Sequence, residues 1–330
     1  MAEAVRFKWG ISPINWANED LPEWGDGYTG EAILRDMARL GVQGTEFSRK
    51  FPRDAPQLKA LLARYGLALA SQWKGVRLID PRRRAEELAA LAAHVDFLAT
   101  MGCRHVIICE VTRSFQDAAY RQAPRAARRL SDAEWVHLID GLHEAGRLCC
   151  ARGMRLVYHH HADTVVETPE AIGRLLVHTD PERVSLLLDT GHAVYGGGDP
   201  LDLLRRYGDR IAYVHFKDVR LDVLERVRAD GLSFLEAVRR GVFTVPGDGG
   251  LDFGPLVAEL LARGYDGWVI VEAEQNPERA DPFTYAEKAM AYLRTLLVRA
   301  QRPAQGEGER AESRGDTRGD HAHGEGKALT

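Results

Sequence analysis

Short apolar runs alternate with longer stretches in which apolar residues recur every three or four positions, and this beat persists along most of the chain. Continuous apolar runs of four to six residues suit strands buried on both faces, whereas recurrence at three and four marks one face of a helix. Strands are therefore expected over 7–11, 44–47, 67–72, 106–109, 156–161, 184–188, 211–214 and 268–271. Helices are expected over 30–40, 57–65, 82–101, 131–150, 170–177, 201–207, 256–263 and 282–298. Their ends carry the usual signals. Thr29 and Ser131 stand at cap positions, Glu134 follows Ser131 at capping-box spacing, and Gly41, Gly66, Gly102 and Gly153 close the preceding elements. A strand followed by a helix, repeated eight times, fits a closed α/β (β/α)8 TIM barrel better than an open doubly wound sheet. A single catalytic barrel over 1–300 is expected, interrupted by a charged, partly helical insertion at 220–242 that would serve as a lid or an oligomer contact. A homo-oligomer is compatible with this organisation.

Composition narrows the partners. The 330 residues are 45% hydrophobic and 28% charged, enough to bury a large core. A net charge of -4 offers no basic field for nucleic acid or an anionic membrane, so a small molecule is the expected ligand. The opening Met-Ala-Glu-Ala-Val-Arg has no apolar signal core and no later run is long enough to span a bilayer, which points to the cytoplasm. Cys103, Cys109, Cys149 and Cys150 follow neither a disulfide nor a zinc-ribbon spacing and read as buried thiols. The segment 301–330, rich in Gly, Glu, Arg and His, has little to bury and is expected to be a disordered tail.

In such barrels the chemistry gathers where the strands end. The polar residues there are Asn15 and Trp16, Glu46, Lys74, Glu110, His159 and His161, Asp189 and His192, His215 and Lys217, and Glu272 and Glu274. Buried charge is costly unless paired or bound to metal, so so many ionisable groups in one mouth favour a divalent cation as their common partner. The consecutive strands ending at Asp189, His215 and Glu272 offer a mixed oxygen and nitrogen set suited to Mn, Co, Fe or Zn. In Asp189-Thr190-Gly191-His192, Gly191 is expected to permit a tight turn that aims His192 at the pocket. Alternation puts His215 and Lys217 on one side of their strand, and likewise turns His159 and His161 together with His160 opposite. Taken singly, each position also has a structural explanation: Asp as a helix cap, His as a satisfied core group, Glu as a solvated charge or a partner for the backbone. Lys217 alternatively reads as a Schiff-base lysine.

These motifs carry a resemblance. Asp189-Thr190-Gly191-His192, His215-Phe216-Lys217-Asp218 and Glu272 resemble the xylose-isomerase-like TIM barrels, a superfamily of sugar isomerases, epimerases, dehydratases and an endonuclease. The stretches Ile11 to Trp16, Lys50 to Asp54, Tyr158 to His161, Pro246 to Gly249 and Val271 to Gln275 narrow the resemblance to the dehydratases of inositol catabolism. It implies elimination of water from a keto-inositol (2-keto-myo-inositol) to give a trihydroxycyclohexane-dione, with Mn or Co as the ion. It also carries over Asp189, His215 and Glu272 as ligands. The superfamily's remaining ligand is a Glu on the fifth strand, where this chain has His159; Glu167, just beyond the histidines, is the preferred fourth ligand and His159 the alternative. Lys217, Glu272 or a histidine of the triplet would take the α-proton, and His161 or His192 would donate to the departing hydroxide. Asn15, Trp16, Glu46, Lys74, Glu110 and His159 would bind the substrate. A ketose isomerase or epimerase of the same superfamily is the alternative activity, and metal-dependent cleavage of DNA is disfavoured by the acidic charge balance.

Overall fold

A computed structural model describes residues 7–301; the expected tail, its first residue apart, lies outside them. The strands are β1 (Lys8–Ile11), β2 (Gly44–Thr45), β3 (Ala68–Leu69), β4 (Trp73–Val76), β5 (His105–Glu110), β6 (Arg155–His159), β7 (Val184–Asp189), β8 (Ile211–Phe216), β9 (Asp218–Val219), β10 (Phe243–Thr244) and β11 (Trp268–Val271). Nine of them form one sheet in the order β3-β2-β1-β11-β8-β7-β6-β5-β4, and every pairing in it is parallel. Its two end strands, β3 and β4, are consecutive in the chain, so the sheet closes on itself as an eightfold TIM barrel whose third strand is broken. Ser71 bridges the break: its carbonyl accepts from Phe47 N at 3.1 Å and its hydroxyl donates to the His105 carbonyl at 2.9 Å. The expected single strand over 67–72 thus continues to Val76, because each half satisfies a different neighbour.

Most helix signals act as the sequence suggests. Thr29 caps Gly30–Arg39, and Ser131 with Glu134 forms a complete capping box on Asp132–Cys150. Gly102 adopts φ 82° to end Arg84–Met101. Two hydrophobic layers result. Leu156, Tyr158, Leu186, Leu188, Val214 and Val269 face the helices, while Ile107, Val157, Leu187, Tyr213 and Ile270 fill the barrel interior. The insertion folds as Leu221–Ala229 and Phe234–Arg239 with the antiparallel pair β9 and β10, and it packs Phe234 and Phe243 into a third cluster above the mouth.

Candidate active site

Strand alternation builds the site. Val157, Leu187, Tyr213 and Ile270 lie in the inner layer, so the residues two further along, His159, Asp189, His215 and Glu272, also point inward, one layer higher. Gly44 places Glu46 in the same ring. His215 Nδ1 lies 3.0 Å from Glu272 Oε2 and 3.4 Å from Asp189 Oδ2, and its Nε2 lies 3.0 Å from Glu46 Oε1. His159 Nε2 is 3.6 Å from Asp189 Oδ2. All five are buried.

Asp189 divides its two oxygens. Oδ1 accepts from His192 N at 2.8 Å, capping the short helix Thr190–Tyr195, while Oδ2 is buried without a hydrogen-bond partner. His215 Nδ1 and both ring nitrogens of His159 are likewise buried without a hydrogen bond, although carboxylate oxygens lie near His215 Nδ1 and His159 Nε2. Unsatisfied donor atoms on one carboxylate and two imidazoles, converging within 4.8 Å, are what a divalent cation would satisfy. Charge agrees. Glu46, Asp189, Glu272 and Glu274 bring four buried carboxylates together, and Lys217 supplies one ammonium. Burial opposes ionisation of Glu272, yet Lys217 and His215 hold its carboxyl well below the usual range. Burial likewise disfavours a charged His215, but the Glu272 and Glu46 carboxylates keep its imidazole well above its ordinary value.

Lys217 is fully buried beside this ring, its Nζ 2.6 Å from Glu272 Oε1, 3.1 Å from Glu274 Oε1, 3.0 Å from His192 Nε2 and 3.6 Å from Asp189 Oδ2. Burial alone would lower its pKa, but the Asp189, Glu272 and Glu274 carboxylates raise it, which disfavours the neutral amine that a Schiff base needs. Gly191 serves this lysine rather than a tight turn. It lies in the helix after Asp189, where a Cβ would come within 2.6 Å of Lys217 Cγ. Burial drives His161 and His192 well below the ordinary imidazole pKa. Their rings lie 3.7 Å apart, while His160 turns into the wall, accepting from Asp189 N at 3.3 Å.

Four expected site residues sit elsewhere. Trp16 is buried in the outer core with its indole donating to Asp36 at 3.2 Å, so it anchors the first helix instead of meeting a substrate. Glu110 follows Ile108 onto the outer face, where its oxygens accept from Leu78 N at 2.7 Å and Thr112 N at 3.0 Å. Lys74 pairs in register with Ile108, one step from the inward-facing Trp73 and Ile107, and its charge acts on His94. Glu167 is bound by Arg125, whose Nε and Nη2 both lie 2.9 Å from its oxygens, and it belongs to none of the metal-competent groups. Asn15 stands beside the residue that follows Glu272: its Oδ1 accepts from Ala273 N at 2.7 Å, and its Nδ2 is buried and unpartnered. Glu46 joins the ring of metal-competent side chains, a place different from the hydroxyl-reading role expected of it.

Two expectations follow from these placements. Glu110→Ala should destabilise the fold by about 1–3 kcal/mol for each amide left unpaired, while leaving KM unchanged; thermal melts and steady-state kinetics check this. Glu167→Gln should leave divalent-ion affinity unchanged in titration calorimetry, because its partner is Arg125.

Glu274 was expected only as one of the mouth's ionisable groups, and the lid expected of 220–242 was not traced to particular side chains. Glu274 repeats the inward phase of Glu272, a signal that was present in the alternation, and burial pushes its carboxyl up to about 7. Phe115, Phe234 and Phe243 form an aromatic lid: Phe234 lies 4.8 Å from Phe115 and 5.3 Å from His161, and Phe243 lies 5.3 Å from His192. Phe234 sits among the apolar positions of the insertion and Phe243 just after it, with nothing in the local pattern to set them apart from the packing residues around them.

A parallel barrel with carboxylates and imidazoles gathered at the carboxyl ends of its strands defines a TIM-barrel enzyme with a metal-competent mouth. The chain belongs to the xylose isomerase-like TIM barrel family, whose profile matches residues 34–296. Within that family it groups with the inosose dehydratases. It is 51% identical over 292 residues to the inosose dehydratase of Geobacillus kaustophilus, covering 88% of this chain and 95% of that one. Against the inosose dehydratase of Geobacillus thermodenitrificans the identity is 46% over 297 residues, covering 89% and 98%. The crystal structure of a sugar phosphate isomerase/epimerase from Parabacteroides distasonis shares the fold, with a TM-score of 0.64 at 18% identity over 91% of this chain and 97% of that one. Among the described residues no helix is long and apolar enough to cross a membrane.

Proposed function

We propose that this enzyme eliminates water from a keto-inositol, 2-keto-myo-inositol, to give a trihydroxycyclohexane-dione, with Mn or Co held by His159, Asp189, His215 and Glu272, and Glu46 closing the set. The observation that carries the reading is the convergence of unpartnered donor atoms on Asp189, His215 and His159 in a chain that groups with the inosose dehydratases. A bound divalent ion would supply Lewis acidity toward the ketone oxygen and its neighbouring hydroxyl.

The chain's own residues supply the proton movements. His161 Nδ1 donates to the Ala162 carbonyl at 2.8 Å, which leaves the lone pair on Nε2, the tautomer of a base. His161 would take the proton from the carbon beside the ketone. As that C–H bond breaks, a carbon–carbon double bond forms and the β-hydroxyl leaves; the Lys217 ammonium would protonate it to water. His192, Glu272 and Glu274 hold Lys217 in place for this transfer. Asn15 Nδ2 is free to donate to a substrate hydroxyl. Phe115, Phe234 and Phe243 would exclude water, so that the departing hydroxide meets Lys217 and not bulk solvent. We assign the enzyme to the cytoplasm, where free thiols persist; Cys103, Cys109 and Cys149 are buried as expected, whereas Cys150 is exposed.

Mass spectrometry of the product tests the activity. The reading expects a product lighter than the keto-inositol by one water. A product of unchanged mass would overturn it in favour of isomerisation.

A further inference from the structure

Beside the ring formed by His159, Asp189, His215 and Glu272 lies a second group with the same chemistry. His161, His192 and Glu274 each offer a ligand atom, all within 4.8 Å of one another, and all three residues are buried. Asp189, His192 and Glu272 form an overlapping group, so the two places share walls. The first place has unpartnered donor atoms. The second already holds a cation, since Lys217 Nζ lies 3.0 Å from His192 Nε2 and 3.1 Å from Glu274 Oε1, with Glu272 Oε1 at 2.6 Å. The face of Phe243 closes this pocket, its ring centre 4.9 Å from the ammonium. An aromatic face and carboxylates around one point make a cation site.

The lysine reaches that point because the backbone makes room for it. Its stem passes over Gly191, where a Cβ would come within 2.6 to 3.0 Å of Lys217 Cγ, Cδ and Cβ. The side chain is therefore threaded through a slot that any other residue at 191 would close.

We infer that the Lys217 ammonium is a tethered cation filling a second divalent-metal site made by His161, His192 and Glu274, and that removing it turns a one-ion enzyme into a two-ion one. The inference rests on reading the neighbouring ring as the first ion site. With Lys217 present, a second divalent ion is excluded by like charge within contact distance. Without it, Glu274 loses its cation, and two imidazoles and a carboxylate suit Mn, Co or Zn.

The test is metal stoichiometry of the full chain, measured on protein equilibrated with Mn²⁺ and desalted, with Mn²⁺ titration calorimetry beside it. Wild type is expected to hold one ion per chain, Lys217→Ala two, and Lys217→Ala/His192→Ala one. Lys217→Arg, which keeps a cation in the slot, is expected to hold one. The melting temperature of Lys217→Ala should rise with Mn²⁺ beyond the first equivalent. If wild type and Lys217→Ala both hold one ion, the second site does not exist, whereas an empty wild type would instead defeat the reading of the first site. Should the alanine variant fail to fold, Lys217→Ser, whose hydroxyl keeps a polar group in the vacancy, carries the same two outcomes.

Discussion

Asp189→Asn is expected to fold and to lose both its divalent ion and its turnover. Asparagine keeps an oxygen for the His192 amide, so the cap on Thr190–Tyr195 survives, while the charge at Oδ2 disappears. Side chains that only orient metal ligands already change affinity by about 10–100-fold when replaced, so loss of a charged ligand should exceed that range. Lewis-acid assistance is worth several kcal/mol, and each 1.36 kcal/mol is tenfold in rate, so turnover should fall by at least roughly 10³-fold. His215→Ala should behave alike, because its imidazole meets Asp189, Glu272 and Glu46 together. Calorimetric titration with Mn²⁺ and the measured kcat check both. A variant that kept its ion and its full rate would remove that residue from the ligand set.

The proton-transfer pair should show a different signature. His161→Asn and Lys217→Met are each expected to lower kcat by about 10²–10⁴, the usual range for a positioned acid or base, with little change in KM. His161 qualifies through its tautomer, fixed by the Ala162 carbonyl, and Lys217 through its place among His192, Glu272 and Glu274. Burst and single-turnover experiments separate the chemical step from product release. A rise in KM at unchanged kcat would make either residue a binding group instead.

Much of the fold was legible because helix caps and strand runs are local. Thr29, Ser131 with Glu134, and Gly102 mark their boundaries without help from the rest of the chain. The broken third strand was not legible, since Trp73–Val76 pairs with β5 for reasons that lie in the Ser71 bridge to His105. At the site, the inward run His159, Asp189, His215 and Glu272 could be read from alternation once each apolar strand was found. The same alternation, applied to β5 and β4, turns Glu110 and Lys74 outward, but only a known inner layer fixes its phase. Trp16 and Glu167 lie just past strand ends, where alternation stops and tertiary partners decide; Asp36 and Arg125 claim them. Gly191 shows the opposite limit. Its glycine is explained by a side chain from the neighbouring strand, a contact no local pattern announces.

Protein stripped of metal by chelation is incubated with 2-keto-myo-inositol, and the absorbance of a conjugated dione is followed as Mn²⁺ or Co²⁺ is returned. No signal is expected before addition, and afterwards a dione should appear at a rate that saturates at the ion's binding stoichiometry. Absence of the dione with every divalent ion, or an equal rate in the presence of excess chelator, would contradict metal-dependent elimination of water.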